Sequence, residues 1–216
     1  RRKPLPVWVQ NSEETASLIV YGAGCPCYLK SEDVPRSIFE IKGAKKVAVE
    51  LRSFSKTTGL TGSKYAFAIV PKEVQLQTYE GEEIPLNKLW GRLQTSRYSG
   101  LPYLIQKAVE ALYTPEGIKQ RAELSQYYME NTQILKQALL EMKWDVYGGT
   151  DAPFLWMRTP EGVDSWKFFN QMLYEAHLVC TPGVGFSPNG EGFVRLTAFC
   201  RRENIMEAIT RFKRWR

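Results

Sequence analysis

The sequence predicts an α/β chain whose C-terminal part is an α+β lobe of its own. Three observations predict it: short β-branched apolar runs that end at glycine, proline or a polar turn in the first third, apolar residues at helical spacing from Leu86 to Met142, and alternating strand and helix patterns beyond residue 143. The longest apolar runs, such as Ser17 to Tyr21 and Tyr65 to Val70, are strand-sized, far short of the roughly 20 residues that cross a bilayer.

Taken in order, a short helix around Leu5 to Glu14 leads to Ser17–Leu–Ile–Val–Tyr21, a run that reads as a buried parallel strand stopping at Gly22. Ligands of α/β sheets collect beyond the carboxyl ends of such strands, which makes Gly22 to Cys27 a candidate site edge. A second strand, Val47 to Leu51, runs into Arg52–Ser–Phe–Ser–Lys56, with a glycine- and threonine-rich turn from Gly59 to Gly62 and a third strand from Tyr65 to Val70, stopped by Pro71. Residues 75–85 read as a polar loop. Leu86 to Tyr113 reads as two helices bent at Ser99–Gly–Leu–Pro102, and Thr114 with Pro115 caps a long helix to about Met142. Then come strands near Asp145 to Tyr147 and Phe154 to Arg158, a helix from Ser165 to His177, strands Leu178 to Thr181 and Phe193 to Phe199, and a helix from Arg201 to Arg216.

With 216 residues, 44% hydrophobic and 24% charged, the chain can bury a core, which excludes the disordered class. Twenty-nine Lys+Arg against 23 Asp+Glu leave a net charge of +6, able to attract phosphate, anionic substrates or an acidic partner. The basic residues gather at Arg1, Arg2 and Lys3 and at Arg211, Lys213, Arg214 and Arg216, without the interleaved aromatics that stack bases, so no nucleic-acid partner is expected. Four cysteines and one histidine, His177, lack zinc-ligand spacing, and no metal site is expected; the cysteines read as reduced thiols. Cys25–Pro–Cys27 is either a pair of small core residues or, if exposed, redox-sensitive. His177 reads as a packing or capping residue, and Trp156 and Trp166 as core. The first residues are no signal peptide. The chain does not begin with methionine and opens in what reads as the middle of a helix, as a processed product or a fragment would.

One cluster carries chemistry. Ser53–Phe–Ser–Lys56, followed by Gly59, Thr61, Gly62 and Lys64, offers an amine, hydroxyls, backbone amides and a second cation just past a strand. Such a set suits a phosphorylated aldehyde, with the amine condensing with the carbonyl carbon and the hydroxyls and amides holding the phosphate. Taken alone, Ser and Lys after a strand also describe ordinary solvated surface.

The motifs Ser37–Ile–Phe–Glu–Ile41, Ser53–Phe–Ser–Lys56 with Gly59–Leu–Thr–Gly62, Tyr147–Gly–Gly149, Ala152–Pro–Phe–Leu–Trp156, Thr181–Pro–Gly–Val–Gly–Phe186 and Gly190–Glu–Gly–Phe–Val–Arg195 occur in that order. Their series resembles the LL-diaminopimelate aminotransferase family of fold-type-I pyridoxal-phosphate aminotransferases over nearly the whole chain. The resemblance implies the end of the large domain of a fold-type-I transferase (1–113), an interdomain helix (114–142) and the α+β C-terminal small domain (143–216). It also implies an absent half upstream, since such enzymes are about twice this length. The implied activity is amino-group transfer between glutamate and a tetrahydrodipicolinate-like acceptor in lysine biosynthesis. The implied cofactor is pyridoxal phosphate.

By the same resemblance Lys56 is the lysine that holds the cofactor and shuttles the substrate proton, Ser53, Ser55 and Lys64 lie at the cofactor phosphate, and Arg195 clamps the substrate α-carboxylate. Five positions depart from the family pattern. Gly22 stands where an aspartate would pair with the ring nitrogen, Cys25 where a tyrosine would meet the phenolic oxygen, and Lys64 where an arginine would bind phosphate. Ser99 and Asp151 each stand in place of an asparagine. The resemblance with these departures predicts an aminotransferase scaffold with a degraded cofactor site; the alternative is a non-catalytic structural subunit of a larger assembly. The resemblance further implies a homodimer, in the cytoplasm or the plastid stroma.

Overall fold

The computed structural model describes residues 4–24, 26–59, 61–63 and 65–215. The chain divides into two compact units, Arg1–Ala122 and Glu123–Arg216.

In the first unit α1 (Pro4–Thr15) begins with proline, whose missing N–H costs nothing in a first turn, and buries Leu5, Val9 and Ser12 on one face. Ala16 takes φ 51°, and the Ser17 N–H returns to the Ser12 carbonyl at 3.1 Å. Residues 16–18 therefore close the helix, and β1 (Ile19–Ala23) starts two positions later than the apolar run suggests. After a four-residue helix, α2 (Ala44–Val47), come β2 (Ala48–Ser53) and β3 (Ala66–Ile69). The sheet order is β1-β2-β3, with β1 parallel to β2 and β3 antiparallel. One sheet face meets the core of Val9, Ile38, Ala44 and Ala48. The other leaves Val20 60% and Leu51 40% exposed, so β1 is parallel as its sequence suggests but covered on one side only.

Residues 75–85, expected as a loop, form a hairpin of β4 (Gln75–Gln77) and β5 (Glu83–Pro85), closed by the Thr78 N–H on Glu82 at 2.9 Å and by Gly81 at φ 84°. Helices α3 (Leu86–Arg97) and α4 (Tyr103–Ala111) flank the expected bend, where Ser99 and Gly100 both adopt left-handed φ. The long α5 (Pro115–Glu141) is capped by the Thr114 hydroxyl, which accepts from the Gly117 N–H at 3.1 Å.

The second unit is an antiparallel sheet of β6 (Val146–Gly148), β7 (Phe154–Arg158), β9 (Phe193–Thr197) and β8 (Thr181–Pro182), in the order β6-β7-β9-β8. Its inner face, with Leu155, Met157, Val194 and Leu196, meets Leu135 and Leu139 of α5, Phe168 and Met172 of α6 (Ser165–Tyr174), and Ile205, Ile209 and Phe212 of α7 (Arg202–Trp215). The i, i+4 and i, i+7 spacings on these helices are what a one-sided apolar stripe requires. The Asp164 carboxylate caps α6 by accepting from the Lys167 N–H at 2.8 Å. That helix stops at Tyr174, three residues before its expected end, because His177 takes φ 53°. Among the described residues no helix is long and apolar enough to cross a membrane.

Candidate functional site

The predicted lysine lies in the first unit, in the turn that follows β2. Parallel pairing of β1 with β2 puts Gly22 beside Leu51 and Ala23 beside Arg52, so the carboxyl ends of both strands share one edge of the sheet. Ser53, Ser55 and Lys56 emerge from that edge with half-buried side chains. Cys25 and Lys64 lie outside the described residues.

The turn is built on an aromatic anchor. Phe54 is buried, stacks on Tyr65 with ring centres 5.0 Å apart, and touches Phe67 and the edge of Tyr113. Backbone bonds fasten it: the Phe54 N–H donates to the Tyr65 carbonyl at 3.2 Å, and the Thr58 N–H and hydroxyl both reach the Phe54 carbonyl, at 3.1 and 3.0 Å. The Thr58 hydroxyl also lies 2.9 Å from the Tyr65 hydroxyl. From the loop after β1, Tyr28 is buried and donates its hydroxyl to the Lys56 carbonyl at 2.7 Å, and Cys27 contributes a weak thiol contact to Thr57 at 3.6 Å. Tyr28, Thr58 and Tyr65 thus fix the backbone that carries Lys56, and the residue types next to Lys56 give no hint of them.

A second layer explains the Ser37–Ile41 motif. Ser37 and Glu40 form a capping box around a 3-10 turn. The fully buried Glu50 of β2 receives the Ser37 hydroxyl at 2.7 Å, the Ile38 N–H at 2.9 Å and the Arg52 Nε–H. Arg52 in turn donates to the Arg36 carbonyl at 3.0 Å. Burial, and after it the charges of Glu50 and Glu40, push the phenol of the neighbouring Tyr21 above its ordinary range. This network docks the 36–41 turn on the strand that ends in Ser53.

Arg195 belongs to the second unit. It projects from the outer face of β9, with its guanidinium carbon 4.5 Å from the ring centre of Phe154 and 4.4 Å from that of Phe186. Its Nε is buried and has no hydrogen-bond partner among the described residues. Burial holds the guanidinium below its ordinary value. Of the other predicted positions, His177 is exposed at φ 53°, and its backbone carbonyl accepts from Arg211 at 2.8 Å. Trp156 is half-buried, whereas Trp166 is 56% exposed and so is not core. Ser99 adopts φ 53°, a conformation that asparagine tolerates better than serine. Buried Cys180 has a thiol pushed up to about 12 by desolvation, and is inert rather than redox-active.

The family described as aminotransferase class I and II matches residues 20–212. The LL-diaminopimelate aminotransferase of Phocaeicola vulgatus is 52% identical over 211 residues, covering 98% of this chain and 52% of the relative. That of Methanosphaera stadtmanae is 45% identical over 213 residues, covering 99% and 52%. The solved L,L-diaminopimelate aminotransferase of Chlamydomonas reinhardtii superposes with a TM-score of 0.90 at 41% identity, over 99% of this chain and 51% of that one. An aromatic aminotransferase from Pyrococcus horikoshii, 23% identical, shares the fold with a TM-score of 0.85 over 99% and 55%. The chain spans about half the length of the curated relatives it matches.

Proposed function

The chain belongs to the class I and II aminotransferase family, and from that premise we propose that the protein of which it forms part transfers an amino group between glutamate and a tetrahydrodipicolinate-like acceptor. The relatives named LL-diaminopimelate aminotransferase support this over a non-catalytic subunit. The observation that carries it is the Lys56 turn, in which a half-buried lysine follows two serines at the shared end of two parallel strands, its backbone carbonyl held by the Tyr28 hydroxyl.

The family uses pyridoxal phosphate, and the residues fit its aldehyde and phosphate ends. Lys56 supplies the amine. The Ser53 Oγ accepts from the Ser55 N–H at 3.2 Å, which leaves its own O–H free to donate to a phosphate oxygen, beside the Ser55 hydroxyl. By the family resemblance Lys64, which lies outside the described residues, would add a cation to this set. By the resemblance Gly22 would face the ring nitrogen and brings no acid there; a Cβ on it would meet nothing within 4 Å among the described residues. When bound, pyridoxal phosphate supplies the electron sink that makes an amino acid's α-proton acidic. Lys56 Nζ would take that proton from the α-carbon as a general base and then, as the conjugate acid, give it up on the side of the former aldehyde carbon, the net shift that amino-group transfer requires. By the family resemblance Arg195 would hold the α-carboxylate through its planar fork. We further propose a homodimer, as the family resemblance implies.

Borohydride reduction in the presence of pyridoxal phosphate, followed by peptide mass mapping, tests the reading. The expected result is a reduced phosphopyridoxyl group on Lys56, absent in Lys56→Ala with its fold intact. Labelling spread over surface lysines and unchanged in Lys56→Ala would reject it.

A further inference from the structure

We propose that Phe186 and Phe154 are positioning residues that hold the Arg195 guanidinium and restrict it to planar carboxylates, an inference that rests on the carboxylate role of Arg195. The guanidinium carbon lies 4.4 Å from the ring centre of Phe186 and 4.5 Å from that of Phe154, both within the range of cation–π contact. Rings held against a guanidinium leave an anion its plane, where two N–H donors lie side by side and match the two oxygens of a carboxylate. A tetrahedral oxyanion placed on the same fork pushes an oxygen out of that plane, toward a ring. Among the described residues no carboxylate pairs with Arg195 and its buried Nε has no partner, while two rings stand within cation–π distance of its charge.

Each ring is itself braced within the same unit. Phe154 meets the edge of Phe199 at 5.3 Å, and Phe199 meets Tyr128 at 5.1 Å. Phe186 is braced edge-on by Trp156 at 5.3 Å. The loop that carries Phe186 is closed at its base by two glycines: a Cβ on Gly183 would stand 2.1 Å from the Gly190 carbonyl oxygen, and one on Gly190 would stand 2.1 Å from that of Gly183. Only a pair of glycines allows this approach. Just past Gly190 the base is tied further by Glu191, whose carboxylate accepts from the Ser165 N–H at 2.6 Å and the Ser165 hydroxyl at 2.8 Å. The Thr181–Phe186 and Gly190–Arg195 motifs are therefore one device, with the ring in the first and the arginine it positions in the second.

The test is nitrogen-15 NMR of the full chain, following the Arg195 Nε–H resonance, assigned by its loss in Arg195→Lys, during titration with propionate and with ethylphosphonate. Wild type should prefer propionate. Phe186→Leu should bind propionate about fivefold more weakly, the scale of one cation–π contact, and lose the preference, while Phe186→Tyr restores both. If Phe186→Leu does not fold, Phe154→Leu is read on the same criterion at the other ring. Wild-type affinity and preference in the leucine variant would overturn the positioning role while leaving Arg195 as a carboxylate site. A wild-type resonance indifferent to both anions would overturn the carboxylate reading and this proposal with it.

Discussion

Glu50 is the residue on which the architecture around the candidate lysine turns. It is fully buried on β2, yet the Ser37 hydroxyl, the Ile38 N–H and the Arg52 Nε–H all satisfy its carboxylate. Replacing it by leucine strands three donors at once, one of them in the protein interior, and should cost on the order of 3 kcal/mol. Glutamine keeps the volume and part of the acceptor capacity, and should cost about 1 kcal/mol. Urea unfolding of the two variants checks this: equal midpoints for Leu and Gln would mean that the side chain acts by volume alone. Single residues were legible here in proportion to how local their chemistry is. Lys56 and its serines announce themselves as an amine and hydroxyls past a strand. Tyr28, 28 positions earlier in the chain, binds the Lys56 carbonyl through a contact that no local pattern encodes. At Gly22 a Cβ would meet nothing within 4 Å among the described residues, so no neighbour there explains the glycine.

At the scale of elements, the Glu191 contact joins the start of α6 to the loop before β9. Its carboxyl is held below the ordinary carboxylate range, first by the Ser165 N–H, then by the Gly192 N–H and the Ser165 hydroxyl. A depressed folded-state value means that the charged form is favoured by folding. The contribution is therefore fully present above the ordinary carboxylate pKa and is lost as pH falls through the depressed value. Glu191→Gln should flatten the acid limb of the stability-pH curve and leave the difference between pH 6 and pH 8 unchanged; thermal melts in citrate buffers from about pH 2 to pH 6 span the window. An acid limb as steep as that of wild type would assign the pH dependence elsewhere. Helices and strands of this unit were largely legible, because Ile205, Ile209 and Phe212 or Leu155 and Met157 repeat at the periods of 3.6 and 2. The β4–β5 hairpin was not: three residues per strand are too few for alternation to show, and its register comes from Thr78, Glu82 and Gly81 closing the turn. The end of α6 was missed for a related reason, since a histidine at φ 53° stops a helix without glycine's signature.

Across the whole chain, apolar burial is uneven. The second unit closes one continuous core from Leu135 to Phe212. In the first, the core of Val9, Ile38, Ala44 and Ala48 lies on one side of the sheet, while α3 and α4 bury no residue and α4 leaves Tyr103 and Leu104 69% and 80% exposed. Isolated helices of this length are marginal in water, because nucleation is costly and propensity alone does not repay it. These helices depend on tertiary contacts that the described residues supply only in part. Local opening free energies should therefore differ sharply along the chain: near zero in α3 and α4, and close to the global unfolding value in β7, β9 and α6. Hydrogen exchange followed by mass spectrometry resolves this directly. Peptides covering residues 86–111 should be fully deuterated within seconds to minutes, while those covering 154–158, 165–174 and 193–197 retain protons for hours under the same conditions. Uniform protection in both sets would mean that α3 and α4 are covered in solution, and the apolar residues Tyr103 and Leu104 are where the covering surface should then be mapped.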